Sequence, residues 1–93
     1  MEKKIFKYPL QIKDQQTVEL PVGAEILSIQ NQNGTVCLWA LVSPAIILKS
    51  ERLIEIFGTG NPIYYDMGIN RKYIATFQYM EGQFVGHAFE RIS

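Results

Sequence analysis

Residues 26–42, ILSIQNQNGTVCLWALV, decide the fold. They read as an apolar arm, a polar tip at Asn31-Gln32-Asn33-Gly34, and a longer apolar arm around Trp39. Asn-Gly suits a tight hairpin turn, because both residues tolerate positive φ. The arms are expected as strands over residues 25–32 and 35–42. Along the second arm Val36, Leu38, Ala40 and Val42 share one face, and Cys37, Trp39 and Leu41 share the other. Both faces are apolar, which predicts a central strand between two covering layers. Trp39, the only tryptophan, is then expected in the core. Buried there it would bring about 150–250 Å² of surface, and truncating it to alanine would cost about 3–5 kcal/mol.

Upstream, residues 4–10 alternate, with Ile5 and Lys7 opposite Phe6, Tyr8 and Leu10. That is the pattern of a half-buried strand, and Pro9 marks an edge position or the strand's end. Residues 11–16 are polar and read as a turn. Residues 17–20 form a short strand closed by Pro21-Val22-Gly23. Downstream, Ser43-Pro44 ends the hairpin. Residues 45–51 read either as a helical turn or as an irregular crossing, and the adjacent Ile46 and Ile47 favour the crossing. A strand resumes over 52–57. Gly58-Thr59-Gly60-Asn61-Pro62 is the strongest loop signal in the chain. A brief pairing is read over 63–66, then a loop to residue 71. Over 73–80, Tyr73, Ala75, Phe77 and Tyr79 share one face, Glu81-Gly82 turns the chain, and 83–90 is the last strand. About seven strands with no convincing helix predict an all-β fold, a small antiparallel β-sandwich or a partly open β-barrel. Residues 1–93 form one domain.

The hydrophobic fraction of 47% is that of a globular chain. Nine basic and nine acidic residues cancel. This argues against a duplex nucleic-acid binder, which needs a strongly basic face, and leaves little repulsion between copies. Cys37 is the only cysteine, so no internal disulfide forms, and its apolar setting reads as a buried thiol. The N-terminal MEKKIFKYPL lacks the apolar core of a signal peptide. No apolar run approaches the roughly 20 residues that span a bilayer. The expectation is a cytosolic protein, of a cell or of something replicating inside one, with no membrane partner; a host cytoplasm follows only from the resemblance below.

Catalytic signals are weak. His87 is the only histidine, and no nucleophile signature surrounds it. An enzyme would need the fold to bring a second polar group to His87 within a pocket. One histidine and one cysteine fall short of a metal-ligand set. Asp66 has no carboxylate partner nearby in sequence for acid–base chemistry. No cofactor is expected. The loop Gly58, Thr59, Gly60, Asn61 is open to two readings. It is a plain wide turn, or a ligand loop whose backbone N–H groups converge on an anion, with Thr59 adding a hydroxyl and Asn61 an amide. It matches neither a P-loop nor a dinucleotide fingerprint. Tyr64 and Tyr65 follow it directly, and Tyr73, Phe77 and Tyr79 line a strand. A base or sugar can stack on such rings, with Arg71 or Lys72 meeting a phosphate; the alternative is that these aromatics are core. Lys3, Lys4 and Lys7 are placed to blunt the edge of the first strand. Ile46, Ile47 and Leu48 lie either in the core or exposed against a second copy, and a homo-oligomer is expected.

Several of these pieces form a familiar set: Phe6-Lys7-Tyr8-Pro9-Leu10, the Gln-Asn-Gly tip with Cys37-Leu38-Trp39-Ala40-Leu41-Val42, Gly58-Thr59-Gly60, Phe77-Gln78, and Gly86-His87-Ala88-Phe89-Glu90. Across nearly the whole chain the sequence resembles small hypothetical proteins of bacteriophages and prophages. The resemblance implies phage origin, cytoplasmic action during infection and a compact β fold, and it lends no catalytic residue. By analogy with small phage accessory factors, two functions are expected in turn. One is a non-enzymatic counter-defence protein that binds or sequesters a small nucleotide-like signal. The other is a protein-interaction or structural module, an inhibitor of a host protein or a small virion component.

Overall fold

A computed structural model describes residues 2–65 and 67–93; Asp66, weighed above for acid–base chemistry, lies outside them. Seven strands follow in order: β1 (Lys4–Pro9), β2 (Gln15–Pro21), β3 (Glu25–Gln32), β4 (Thr35–Val42), β5 (Lys49–Gly58), β6 (Arg71–Tyr79) and β7 (Phe84–Arg91). They form two sheets, β1-β4-β3 and β2-β5-β7-β6, in which every paired neighbour is antiparallel. The sheets stack into a slab of 42 × 37 × 16 Å, a thickness that admits two layers about 10 Å apart. The fold is the all-β sandwich of the two expected forms, since the sheets remain separate and close no barrel. Among the described residues there is no helix, hence none long and apolar enough to cross a membrane. Residues 63–65 join no strand.

The β3–β4 hairpin forms with the expected bounds. Asn33 (φ 52°) and Gly34 (φ 92°) sit at its tip between Gln32 and Thr35, which face each other. Two successive positive φ values make the type I′ turn that matches strand twist. Asn31 Oδ1 accepts a hydrogen bond from Gly34 N–H at 2.9 Å.

Trp39 is a correction. The row Val36, Leu38, Ala40 and Val42 faces the second sheet and is at most 1% exposed. Cys37, Trp39 and Leu41 face the other way, where Trp39 and Leu41 are only half-buried. No third layer of described residues covers them, so β4 has one covering layer and not two. Ninety-three residues supply two sheets, and the outer row of β4 is shielded only by neighbours in its own sheet, such as Lys7 opposite Trp39. The buried aromatic of the core is Phe77, 2% exposed, packed with Leu20, Ile29, Ile54, Ile56 and Ala88.

A second correction concerns Tyr73. A bulge between Tyr73 and Ala75 inserts Ile74 into β6. An inserted residue reverses the alternation beyond it. Ala75 and Phe77 therefore point inward, while Tyr73 lies on the outer face against Phe89, with ring centroids 5.5 Å apart. The bulge in β3 between Ile26 and Ser28 acts the other way. It keeps Ile26 and Ile29 on one face, opposite Ala40 and Leu38, and leaves Leu27 exposed.

Two connections position the rest. Arg52 of β5 holds both oxygens of Glu90 of β7 through its Nε and Nη2, and its Nη1 donates to the Ala24 carbonyl at 2.9 Å, tying one sheet to the entrance of the other. That hydrogen bond to Glu90 raises the Arg52 pKa above its ordinary value. The other is the β5–β6 connection. Both strands are antiparallel to β7, so they run parallel to each other. Parallel strands cannot be joined by a tight turn, and residues 59–70 span β7 to reach β6.

Candidate functional site

That crossover turns the outer face of the four-stranded sheet into a built surface. Glu55 lies in the run Leu53-Ile54-Glu55-Ile56-Phe57 and points outward, yet it is only 3% exposed. A buried carboxylate needs compensating partners. Here Arg71 Nε donates to one oxygen at 2.6 Å, Gln15 Nε2 donates to the other at 3.1 Å, and Arg91 Nη1 lies 3.9 Å away. The hydrogen bond to Glu55 holds the Arg71 guanidinium above its ordinary pKa. Arg71 also donates to the carbonyl of Tyr64. Its Cζ lies 5.4 Å from the ring centroid of Phe57 and 4.9 Å from that of Tyr65. One guanidinium therefore fixes strand, carboxylate and crossover, with a ring on each of two sides.

Beside this cluster is a hollow of about 570 Å³. Asp14 and Gln15 form one wall, Glu55 and Phe57 the floor, and Asn61, Pro62 and Tyr64 of the crossover the other wall. Its polar groups are mainly acceptors and amides, and its apolar groups are flat or ring-shaped. Among the described residues no Lys, Arg or His lines it, and the adjoining Arg71 is bound to Glu55.

The sequence-predicted residues divide. Asn61, Tyr64, Tyr65 and Arg71 come together around Glu55 and Phe57. Gly58, Thr59 and Gly60 form an ordinary turn. Asn61 N–H donates to Gly58 C=O at 3.1 Å, and Gly60 has φ +89°, the geometry of a type II turn. Asn61 N–H is therefore committed within the turn. The Asn61 side-chain amide packs over Gly58, where an added Cβ would meet its nitrogen at 3.0 Å. Thr59 Oγ1 lies 2.7 Å from His87 Nε2. Tyr64 and Tyr65 remain exposed at 67% and 56%.

His87 does meet polar groups supplied by the fold. Thr59 holds Nε2, Thr76 Oγ1 lies 3.0 Å from Nδ1, and Tyr73 Oη lies 2.7 Å from Thr76. A neutral imidazole has one N–H and one acceptor nitrogen, so one threonine donates to the ring and the other accepts. The chain of hydroxyls ties the crossover's first turn to β6 and includes no carboxylate. Among the described residues no group of three or more His, Cys, Asp or Glu is placed to hold a metal ion.

Sequence reasoning missed Glu55, Asp14, Gln15 and Phe57. The signal for Glu55 was present: a lone acid inside an otherwise apolar strand must find a cation or leave the sheet.

The family profile that matches residues 1–93 is the domain of unknown function DUF7352. The chain belongs to the DUF7352 family. No curated protein and no solved structure matches it.

Proposed function

We propose that the protein is a non-enzymatic phage accessory protein that captures a small nucleotide-like molecule in counter-defence. The observation that carries the reading is the hollow between Asp14, Glu55 and Tyr64. The exposed Asp14 carboxylate complements the N–H groups of a nucleobase, and Phe57 and Tyr64 complement its faces. The base, more than the phosphate, is the recognised part, because the nearest guanidinium is neutralised by Glu55. Phage origin and the counter-defence role rest on the sequence resemblance alone.

The test is a thermal-shift and calorimetry screen with nucleosides and with linear and cyclic nucleotides. A ligand at about 100-fold over its Kd adds roughly 2.7 kcal/mol of stability. Nucleosides and nucleotides sharing one base are expected to stabilise alike, and Tyr64→Ala to abolish the shift. The absence of any shift at millimolar ligand would overturn the reading.

A second reading is a protein-interaction module that inhibits a host protein or joins a virion. The observation favouring it is the β4–β5 crossing, where Ile47 and Leu48 are 85% and 71% exposed. A stoichiometric protein partner recovered from host lysate, lost in Ile47→Asp, would support it.

A further inference from the structure

The free edge of β1 carries an inference that does not depend on the ligand. β1 pairs only with β4, and its other edge faces solvent. Its phase can be fixed. Leu10 N–H donates to Val36 C=O at 2.8 Å, and hydrogen-bonded positions alternate along an antiparallel strand. Tyr8, Phe6 and Lys4 therefore turn their N–H and C=O groups toward β4, and Ile5, Lys7 and Pro9 turn theirs outward. The next outward position agrees. The N–H and C=O of Gln11 are both held by the side-chain amide of Gln16. Pro9 has no N–H. The unpartnered edge thus reduces to Ile5 and Lys7, with Lys3 beyond.

Of the lysines placed to blunt this edge, Lys7 is drawn off it and Lys4 is partly offset by Glu2. Lys7 Nζ reaches back across β4 to Gln32 Oε1 at 2.8 Å, and Lys4 Nζ lies 3.9 Å from Glu2. Ile5 and Phe6 remain 58% and 43% exposed. An edge with free backbone groups and apolar side chains is a pairing surface.

The sequence of the edge selects its partner. In an antiparallel pair of two β1 strands, outward-facing residues must oppose outward-facing residues, so the two-fold axis passes through a residue. An axis at Lys4 or Lys7 sets that lysine opposite itself, and an axis at Ile5 sets Lys3 opposite Lys7. Like charges directly opposite are destabilising. An axis at Tyr8 sets Ile5 opposite Gln11, whose N–H and C=O are already held by Gln16. An axis at Phe6 sets Ile5 opposite Lys7, Lys4 opposite Tyr8 and Lys3 opposite Pro9, with no lysine facing another. Phe6 then faces its own copy in a non-hydrogen-bonded pair, where side chains approach most closely. Lys3 N–H would reach the Pro9 carbonyl, which asks nothing of the missing proline donor. We propose that the protein is a two-fold homodimer in which β1 pairs with β1 of a second copy about Phe6, joining the two three-stranded sheets into one continuous sheet.

The experiment reads mass and register. Sedimentation velocity of the full chain is expected to give a dimer. Phe6→Lys places two ammonium groups face to face and is expected to give the monomer mass, with an unchanged β-type circular-dichroism spectrum. Because that variant could also fail to fold, oxidative cross-linking supplies an independent readout. Opposed α-carbons in such a pair lie about 4.5 Å apart, within the span of a disulfide. Phe6→Cys is expected to give a covalent dimer, Ile5→Cys alone to give none, and a mixture of Ile5→Cys with Lys7→Cys to give a heterodimer. Cys37 is buried and stays silent. A wild-type monomer at every concentration would overturn the proposal. So would a dimer in which Phe6→Cys fails to cross-link.

Discussion

Gly86 sits on the inner face of β7, directly opposite Phe77 of β6. A Cβ added there would lie 2.5 Å from Phe77 Cζ, 2.9 Å from Cε1 and 3.0 Å from Phe84 Cε2. Carbon atoms in contact prefer about 3.5–4.0 Å, so the Phe77 ring would have to retreat by about 1 Å. It has nowhere to go. Phe77 is 2% exposed and stands edge-on to Phe84, with centroids 6.4 Å apart. Gly86→Ala therefore overpacks two rings together. Overpacking costs about 1–3 kcal/mol, and the lower chain entropy of alanine in the unfolded state returns about 0.4–1 kcal/mol. The difference spans about 0–2.6 kcal/mol, and the engagement of both rings places the net loss in its upper part, about 1–2.5 kcal/mol. For a domain of this size that lowers Tm by roughly 5–15 °C. Urea and thermal melts followed by circular dichroism measure it. The cause is isolated by a double-mutant cycle with Phe77→Leu, whose shorter side chain vacates the contested space. The pair should be less destabilised than the sum of the singles by at least about 1 kcal/mol. Strict additivity, or a Gly86→Ala protein within about 0.5 kcal/mol of wild type, would refute the account.

Three further outcomes are expected. Gly34→Ala forces alanine to φ 92° with no neighbouring atom within 4 Å, so its loss of about 1–2 kcal/mol in chemical melts is backbone strain alone. Phe77→Ala should cost about 3–5 kcal/mol, and Trp39→Ala distinctly less, because the indole is half-exposed on the outer face; an equal loss in parallel melts would return Trp39 to the core. Glu19 and Glu51 face each other across β2 and β5, both exposed, so Glu51→Lys should stabilise by about 0.2–1 kcal/mol, an effect that disappears in molar salt.

The hairpin was legible because two local signals agree there. Asn33-Gly34 fixes the turn, and the row from Val36 to Val42 fixes the face. The number of layers over that hairpin was not legible, since two apolar rows look alike whether or not a second sheet covers each of them. β5 proved longer than its apolar stretch, beginning at Lys49, because Ser50 and Glu51 pair with Leu20 and Glu19 at a polar edge. Tyr73 was misplaced by a bulge that leaves no trace in composition. The candidate site was half legible. Asn61, Tyr64, Tyr65 and Arg71 stand close in sequence and in space. Their common anchor Glu55 and the wall at Asp14 arrive from other strands and loops, and only the topology of the sheet brings them in.

The clasp beneath the crossover also sets an order of events. Glu55 belongs to β5, Arg71 to β6 and Arg91 to β7, so Arg71 has no seat for its guanidinium until all three strands are aligned. Tyr64 and Tyr65 can dock only after that. The crossover is thus expected to dock late in assembly and to open early in sub-global opening. Its amides should exchange with solvent well before those of β4, and a molecule caught beneath it would be released without the sandwich coming apart.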